Sequence, residues 1–232
     1  MNNTSKIIPF PATTQDEKKK NDANTQIVRY GEPFKYFRKE EIQALRRIAR
    51  EQGEVALLRG NVTGVREWLA IDILTSTGIR VAEIADLRCG DLQVKNGQSS
   101  IFIRCGKGYK SRYVEIPTTT KQHIKRYLKW KASRGESAEK DNHLFQGQRG
   151  PMECQAFQLM VKKYLKQLGI YEKGKSIHSL RHSYATQLYR QCKDIRVVQR
   201  QLGHESSRTT EIYAAILSED VQKEIRCLWS NP

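Results

Sequence analysis

The sequence predicts a mainly α protein with a small antiparallel β-sheet, an α+β fold. Three observations carry this. From Arg38 onward apolar residues recur at three-to-four spacing through most of the chain. One stretch, Ser100 to Ile116, switches to short β-type runs around a glycine-containing turn. Glycines stand where the helical patterns stop. At 232 residues the chain is long enough to bury a core without disulfide or metal staples.

Residues 1–32 are rich in Asn, Thr, Gln and Lys, follow neither the helical nor the strand period, and read as a polar, flexible tail. The folded domain is expected over 33–232. Its first helix begins at Arg38, with Ile42, Leu45, Ile48 and Ala49 on one face and Gly53 read as its stop. A second runs from Val65 to Thr77, with Trp68, Leu69, Ile73 and Leu74 inward and Gly78 just past its end. Arg80 opens a third, whose Val81, Ile84 and Leu87 face the core. Ile101-Phe102-Ile103 and Tyr113-Val114-Glu115-Ile116 then form a hairpin with the basic tip Gly106-Lys107-Gly108-Tyr109-Lys110. Helices resume over Thr118–Ser133, striped by Ile124, Tyr127 and Leu128. Gly135 to Gly150 is a loop by composition. A helix from about Pro151 to Leu168 carries Phe157, Met160, Val161, Tyr164 and Leu165. Short helices follow over Ile177–Gln191, Asp194–Leu202, Thr209–Leu217 and Glu219–Trp229.

Lys and Arg number 41 against 25 Asp and Glu, a net charge of +16. The tail holds Lys6, Lys18, Lys19, Lys20 and Arg29 against Asp16, Glu17, Asp22 and Glu32, so nearly all of this excess belongs to the folded domain. Such a surface points to a polyanion, nucleic acid above all. No apolar run approaches the length of a membrane span, so a membrane protein is excluded. Met1 to Thr14 lacks the three regions of a signal peptide, so a cytoplasmic location is expected. Cys89, Cys105, Cys154, Cys192 and Cys227 lie far apart, without zinc-ligand spacing, and read as reduced thiols; no metal site and no cofactor is expected.

Four polar clusters punctuate the helix and strand ends: Thr77-Gly78-Ile79-Arg80-Val81-Ala82-Glu83, Gly106-Lys107-Gly108, His178-Ser179-Leu180-Arg181-His182, and Leu202-Gly203-His204 with Tyr213 beyond. Arg80 and Arg181 are planar, permanently charged groups, able together to clamp a phosphodiester and balance charge in its transition state. His178 lies three residues before Arg181, on the same side of a helix, where an imidazole can relay a proton. Lys107 at a glycine-flanked tip can reach a DNA groove and protonate a leaving oxygen, with Lys110 a nearby rival. His204 can donate to a phosphate oxygen. Tyr213 is a weak nucleophile until cations and a base help remove its proton. His123, His143 and His182 read as ordinary structural histidines.

In this order and spacing Arg80, Lys107, His178, Arg181, His204 and Tyr213 resemble the catalytic set of the tyrosine recombinase (phage-type integrase) family. The context agrees: Thr-Gly-Ile-Arg with Glu83, Gly-Lys-Gly between strands, His-Ser-Leu-Arg-His-Ser-Tyr-Ala-Thr, Arg196-Val197-Val198-Gln199, and Leu-Gly-His-Glu-Ser-Ser-Arg-Thr-Thr-Glu-Ile-Tyr. The resemblance spans roughly residues 36–225 and implies a catalytic domain of that fold. It implies strand exchange without metal or high-energy cofactor. Tyr213 would attack the scissile phosphate, forming a 3′-phosphotyrosyl bond and releasing a 5′-hydroxyl that attacks the partner strand's phosphotyrosine. Arg80, Arg181 and His204 would stabilise the phosphorane, Lys107 would protonate the leaving oxygen, His178 would assist proton transfer and Glu83 would orient Arg80. Lys110 and Arg112, flanking the tip, are assigned to DNA contact.

The resemblance further implies double-stranded DNA with specific recombination sites as partner and a homotetramer on synapsed DNA. In that assembly Ser218–Pro232, striped by Val221, Ile225, Leu228 and Trp229, would dock on a neighbouring protomer, with docking on its own domain as the alternative. Two departures stand out. Most relatives carry a helical DNA-binding domain where this chain has its polar tail, so either a single domain clamps the DNA, or an accessory DNA-binding protein or the tail itself supplies the other half of the clamp. Ala214-Ala215 follow Tyr213 where relatives often place a histidine, outside the six. Two other functions fit the same fold: a non-catalytic DNA-binding regulator, and DNA relaxation of the type IB topoisomerase kind.

Overall fold

The computed structural model describes residues 35–104 and 111–203. The elements run α1 (Lys39–Leu58), α2 (Val62–Thr77), α3 (Val81–Ala85), a 3₁₀ turn (Cys89–Asp91), β1 (Leu92–Gln93), β2 (Ser100–Ile103), β3 (Arg112–Glu115), α4 (Thr118–Ser133), β4 (Gln146–Gly147), β5 (Gly150–Pro151), α5 (Cys154–Gln167), α6 (Ile177–Cys192) and α7 (Ile195–Leu202). The domain is therefore mainly helical with a three-stranded antiparallel sheet ordered β1-β2-β3 and a separate two-stranded ribbon, β4-β5.

The central element is α2, which packs against α1, α4, α5 and α6. Nearly all of its residues from Gly64 to Thr77 are buried, and Trp68, Leu69, Ile71, Ile73 and Leu74 supply the middle of the core. Each such side chain, fully buried, contributes roughly 1.5–3 kcal/mol. Of its two buried acids, Glu67 accepts from Tyr164 Oη of α5 at 3.1 Å, while Asp72 accepts from Arg46 of α1 at 2.6 Å and faces His123 Nδ1 of α4 at 3.1 Å. Phe37 ties the start of the described chain to α6, its backbone N–H donating to Ser183 Oγ at 2.7 Å.

In the sheet, Ile101 lies opposite Val114 and Ile103 opposite Arg112. Ile101, Ile103, Val114 and Ile116 are buried, while Phe102 and Tyr113 pair on the opposite face with ring centroids 4.9 Å apart. By the two-residue alternation of a strand, Arg112 shares the inward face with Val114.

Four expectations are corrected. Gly53 does not stop the first helix, which continues to Leu58; it is buried because a Cβ there would lie 2.6 Å from Trp68 Cβ. The second helix begins earlier, at Val62, where the Asn61 side chain accepts from the Gly64 amide and caps it. The fifth helix begins later, at Cys154, because Pro151 is used in β5. The Gly135–Gly150 stretch is not all loop, since its end forms the β4 arm of that ribbon. The hairpin tip 105–110, the tail and the two helices expected after Gly203 lie outside the described residues.

Candidate active site

Arg80 is placed by the way α2 ends. Thr75, Ser76 and Thr77 are buried polar residues, and each hydroxyl donates back to the carbonyl four residues earlier, at 2.7, 2.5 and 2.6 Å. Gly78 closes the helix at φ 63°, and a side chain there would collide with Tyr184 Cδ1 at 2.5 Å. The chain then turns through buried Ile79 to Arg80, which caps α3 in an extended conformation. Glu83, one turn into α3, accepts from the Arg80 backbone N–H at 2.7 Å and from the Arg80 guanidinium at 2.8 Å. Arg80 thus commits one guanidinium nitrogen to Glu83 and remains partly exposed, with donors left for a phosphate.

Glu83 also accepts two bonds from Arg112 of β3, at 2.8 and 2.9 Å, in a bidentate pair. Burial of the carboxyl raises its pKa, but the Arg112 and Arg80 hydrogen bonds and charges outweigh that and bring it down to about 2. Arg112 Nε donates to Gln201 O of α7 at 3.3 Å. Gly203, at φ 68°, ends α7 directly against the Arg112 side chain, leaving no room for a Cβ, which would meet Arg112 Cδ at 2.7 Å.

Arg181 lies in the first turns of α6 and is 8% exposed. Its two terminal nitrogens donate to Gly78 O at 2.7 Å and Leu202 O at 2.9 Å, the carbonyls at the ends of α2 and α7. Both are negative helix termini, which favours a cation between them. His178, one turn earlier, shares the helix face at a different depth and is exposed. Burial, with Arg181 and His178 nearby, lowers the pKa of His182. A cleft of about 300 Å³ beside His178, between α5 and the start of α6, is lined by Lys162, Tyr171 and Lys175.

Arg80, Glu83, Arg112 and Arg181 are therefore brought together around Gly78 and the end of α7, with His178 on the outer turn. Lys107, Lys110, His204 and Tyr213 lie outside the described residues. Arg112, assigned to DNA contact, has all three guanidinium nitrogens engaged inside the protein. Its inward strand parity with Val114 was the available signal. Gln201 attracted no attention as sequence and none of its partners is near it in the chain. His123 pairs with Asp72, and His143 Nε2 stands 3.7 Å from Asp86. Among the described residues no group of His, Cys, Asp and Glu is arranged to hold a metal, and no helix is long and apolar enough to cross a membrane.

Residues 35–219 match the model of the phage integrase family. The chain is 31% identical over 180 residues to tyrosine recombinase XerA of Pyrococcus horikoshii, covering 75% of this chain and 59% of that protein. It is 34% identical over 174 residues to tyrosine recombinase XerC of Herpetosiphon aurantiacus, covering 73% and 54%. The chain thus spans between half and three fifths of the length of these curated relatives. Among solved structures, XerH site-specific recombinase bound to a palindromic difH substrate, a post-cleavage complex, superposes with a TM-score of 0.69 at 28% identity, covering 86% of this chain and 54% of that one. XerA recombinase gives 0.64 at 27% identity, covering 81% and 65%. The fold is that of a tyrosine recombinase catalytic domain.

Proposed function

We propose that this chain, which belongs to the phage integrase family, is a site-specific DNA recombinase that cuts and rejoins strands through a 3′-phosphotyrosyl intermediate on Tyr213. The observation that carries the reading is the convergence of Arg80 and Arg181, each held by partners that leave a positively charged focus at the ends of α2 and α7. Preorganised donors at a site of developing negative charge lower the barrier without reorganising, and losing one costs roughly 10²–10³ in rate.

In the reaction, the Tyr213 oxygen attacks the scissile phosphorus and the bond to the 5′-oxygen breaks. Arg80, Arg181 and His204 stabilise the pentacoordinate phosphorane, Lys107 delivers a proton to the leaving 5′-oxygen and His178 assists proton transfer from the phenol. Attack by a partner strand's 5′-hydroxyl on the phosphotyrosine reverses the sequence and conserves the energy of the phosphodiester. Glu83 orients Arg80. The substrate is duplex DNA bearing specific sites, bound by a homotetramer at synapsis and with an accessory DNA-binding protein, in the cytoplasm at the nucleoid. Ser218–Pro232 docks on a neighbouring protomer and couples the sites. Lys110 joins the contacts to the DNA backbone.

Covalent trapping tests this. Incubated with nicked duplexes tiling the DNA around its own coding sequence and then denatured, the protein is expected to retain a DNA adduct whose peptide mass maps to Tyr213. Tyr213→Phe is expected to bind the same DNA and form none. Adduct formation by Tyr213→Phe, or tight binding without any adduct by the wild type, overturns the reading.

A further inference from the structure

Among the described residues β3 is an edge strand, paired with β2 on one side only. Edge strands leave backbone groups without a ladder partner. At Glu115 both groups are taken by one side chain: the Gln201 carboxamide accepts from the Glu115 N–H at 3.1 Å and donates to the Glu115 carbonyl at 2.6 Å. A carboxamide has the donor and acceptor of a peptide group, so Gln201 fills the place of a further strand. Its nitrogen also reaches Tyr184 Oη of α6 at 3.1 Å. In return, the Gln201 backbone carbonyl accepts from Arg112 Nε, and Gly203 closes onto the same arginine.

Besides these ties and the bond from Arg181 to Leu202 O, α7 has little to hold it. It is eight residues long and buries only Val198 and Leu202, in a cluster with Ala185 and Tyr189 separate from the main core. Apolar contact is non-directional, and so small a patch leaves rotation and sliding of the helix poorly restrained. The three hydrogen bonds from α7 to β3 are directional and sit within two residues of Gly203.

We infer that Gln201 and Arg112 are positioning residues that register the end of α7, and so the backbone from which His204 departs, against β3. That strand follows Lys107 in the chain and braces the Glu83–Arg80 pair. One strand then ties the Glu83–Arg80 pair to the end of α7. What is positioned rests on the strand-exchange reading; the registration itself does not.

A double-mutant cycle on the full chain separates positioning from plain stabilisation. Gln201→Leu removes both bonds without adding charge; Gln201→Glu keeps an acceptor for the Glu115 N–H but loses the donor. Amide hydrogen exchange at Glu115 and Gly203 is expected to accelerate in both variants, with a melting midpoint close to wild type. On the nicked duplexes, adduct formation by Gln201→Leu is expected to slow about 10- to 100-fold. In a His204→Ala background the same change is expected to cost nothing further, since the group it positions is gone. An equal fold-loss in both backgrounds, or unaltered exchange at Glu115 and Gly203, overturns the inference. If the wild type forms no adduct, the strand-exchange reading fails by itself, and the exchange measurement still decides the registration.

Discussion

Glu83 is the residue on which two guanidinium groups depend, taking four hydrogen bonds from Arg80 and Arg112. Because its pKa falls from 4.5 to about 2 on folding, the stabilisation it provides is complete above about pH 4.5 and is lost as pH falls toward 2. Acid titration of stability is expected to show that loss in the wild type and a flatter curve over the same window in Glu83→Gln. At neutral pH the variant is expected to be less stable by about 3 kcal/mol, because its arginines lose their carboxylate. Urea unfolding at stepped pH measures both. The Arg80–Glu83 pair was legible in sequence, being three residues apart. Arg112 meets Glu83 across 29 residues, and Arg181 meets carbonyls 103 and 21 residues away. No periodicity reports a side chain satisfied by a distant backbone, so their partners emerge only on folding.

Among the elements, long amphipathic helices were readable and close approaches were not. The α4 range, Thr118–Ser133, agrees end to end, and α7 ends at Leu202 before Gly203 as expected, with Asp194 serving as its cap rather than its first residue. Gly53 misled because a glycine inside a helix and a glycine ending one look alike in sequence. Here α1 and α2 cross at two glycines: Gly53 lies against Trp68, and Gly64 against Ala56. Gly53→Ala gains helix propensity but forces apart helices whose nearest atom, Trp68 Cβ, is fixed to the backbone. Thermal melts are expected to show a net loss of about 1–2 kcal/mol, a midpoint about 2–8 °C lower. An unchanged or raised midpoint would mean that the helices separate at little cost. The two-residue strands β1, β4 and β5 were missed because so short a run has no period to detect.

At the scale of the whole molecule, charge and topology act together. The +16 excess predicts duplex affinity that falls steeply with salt. If six to ten phosphates are contacted, raising salt from about 50 to 200 mM weakens binding about 10³–10⁵-fold, which fluorescence anisotropy on a labelled duplex will read. A shallow slope would mean that the positive surface serves another partner. The two acceptors of Arg181 have a different consequence, for the growing chain on the ribosome. Gly78 is synthesised long before Leu202, and α6 is complete at Cys192, so until Leu202 is added the guanidinium lacks the second carbonyl that holds it between two helix ends. Domains fold largely as units during synthesis. Docking of the last described helix is thus the event that completes the anion focus, and a ribosome-stalled fragment ending before Leu202 would carry the sequence of the phosphate clamp without its grip.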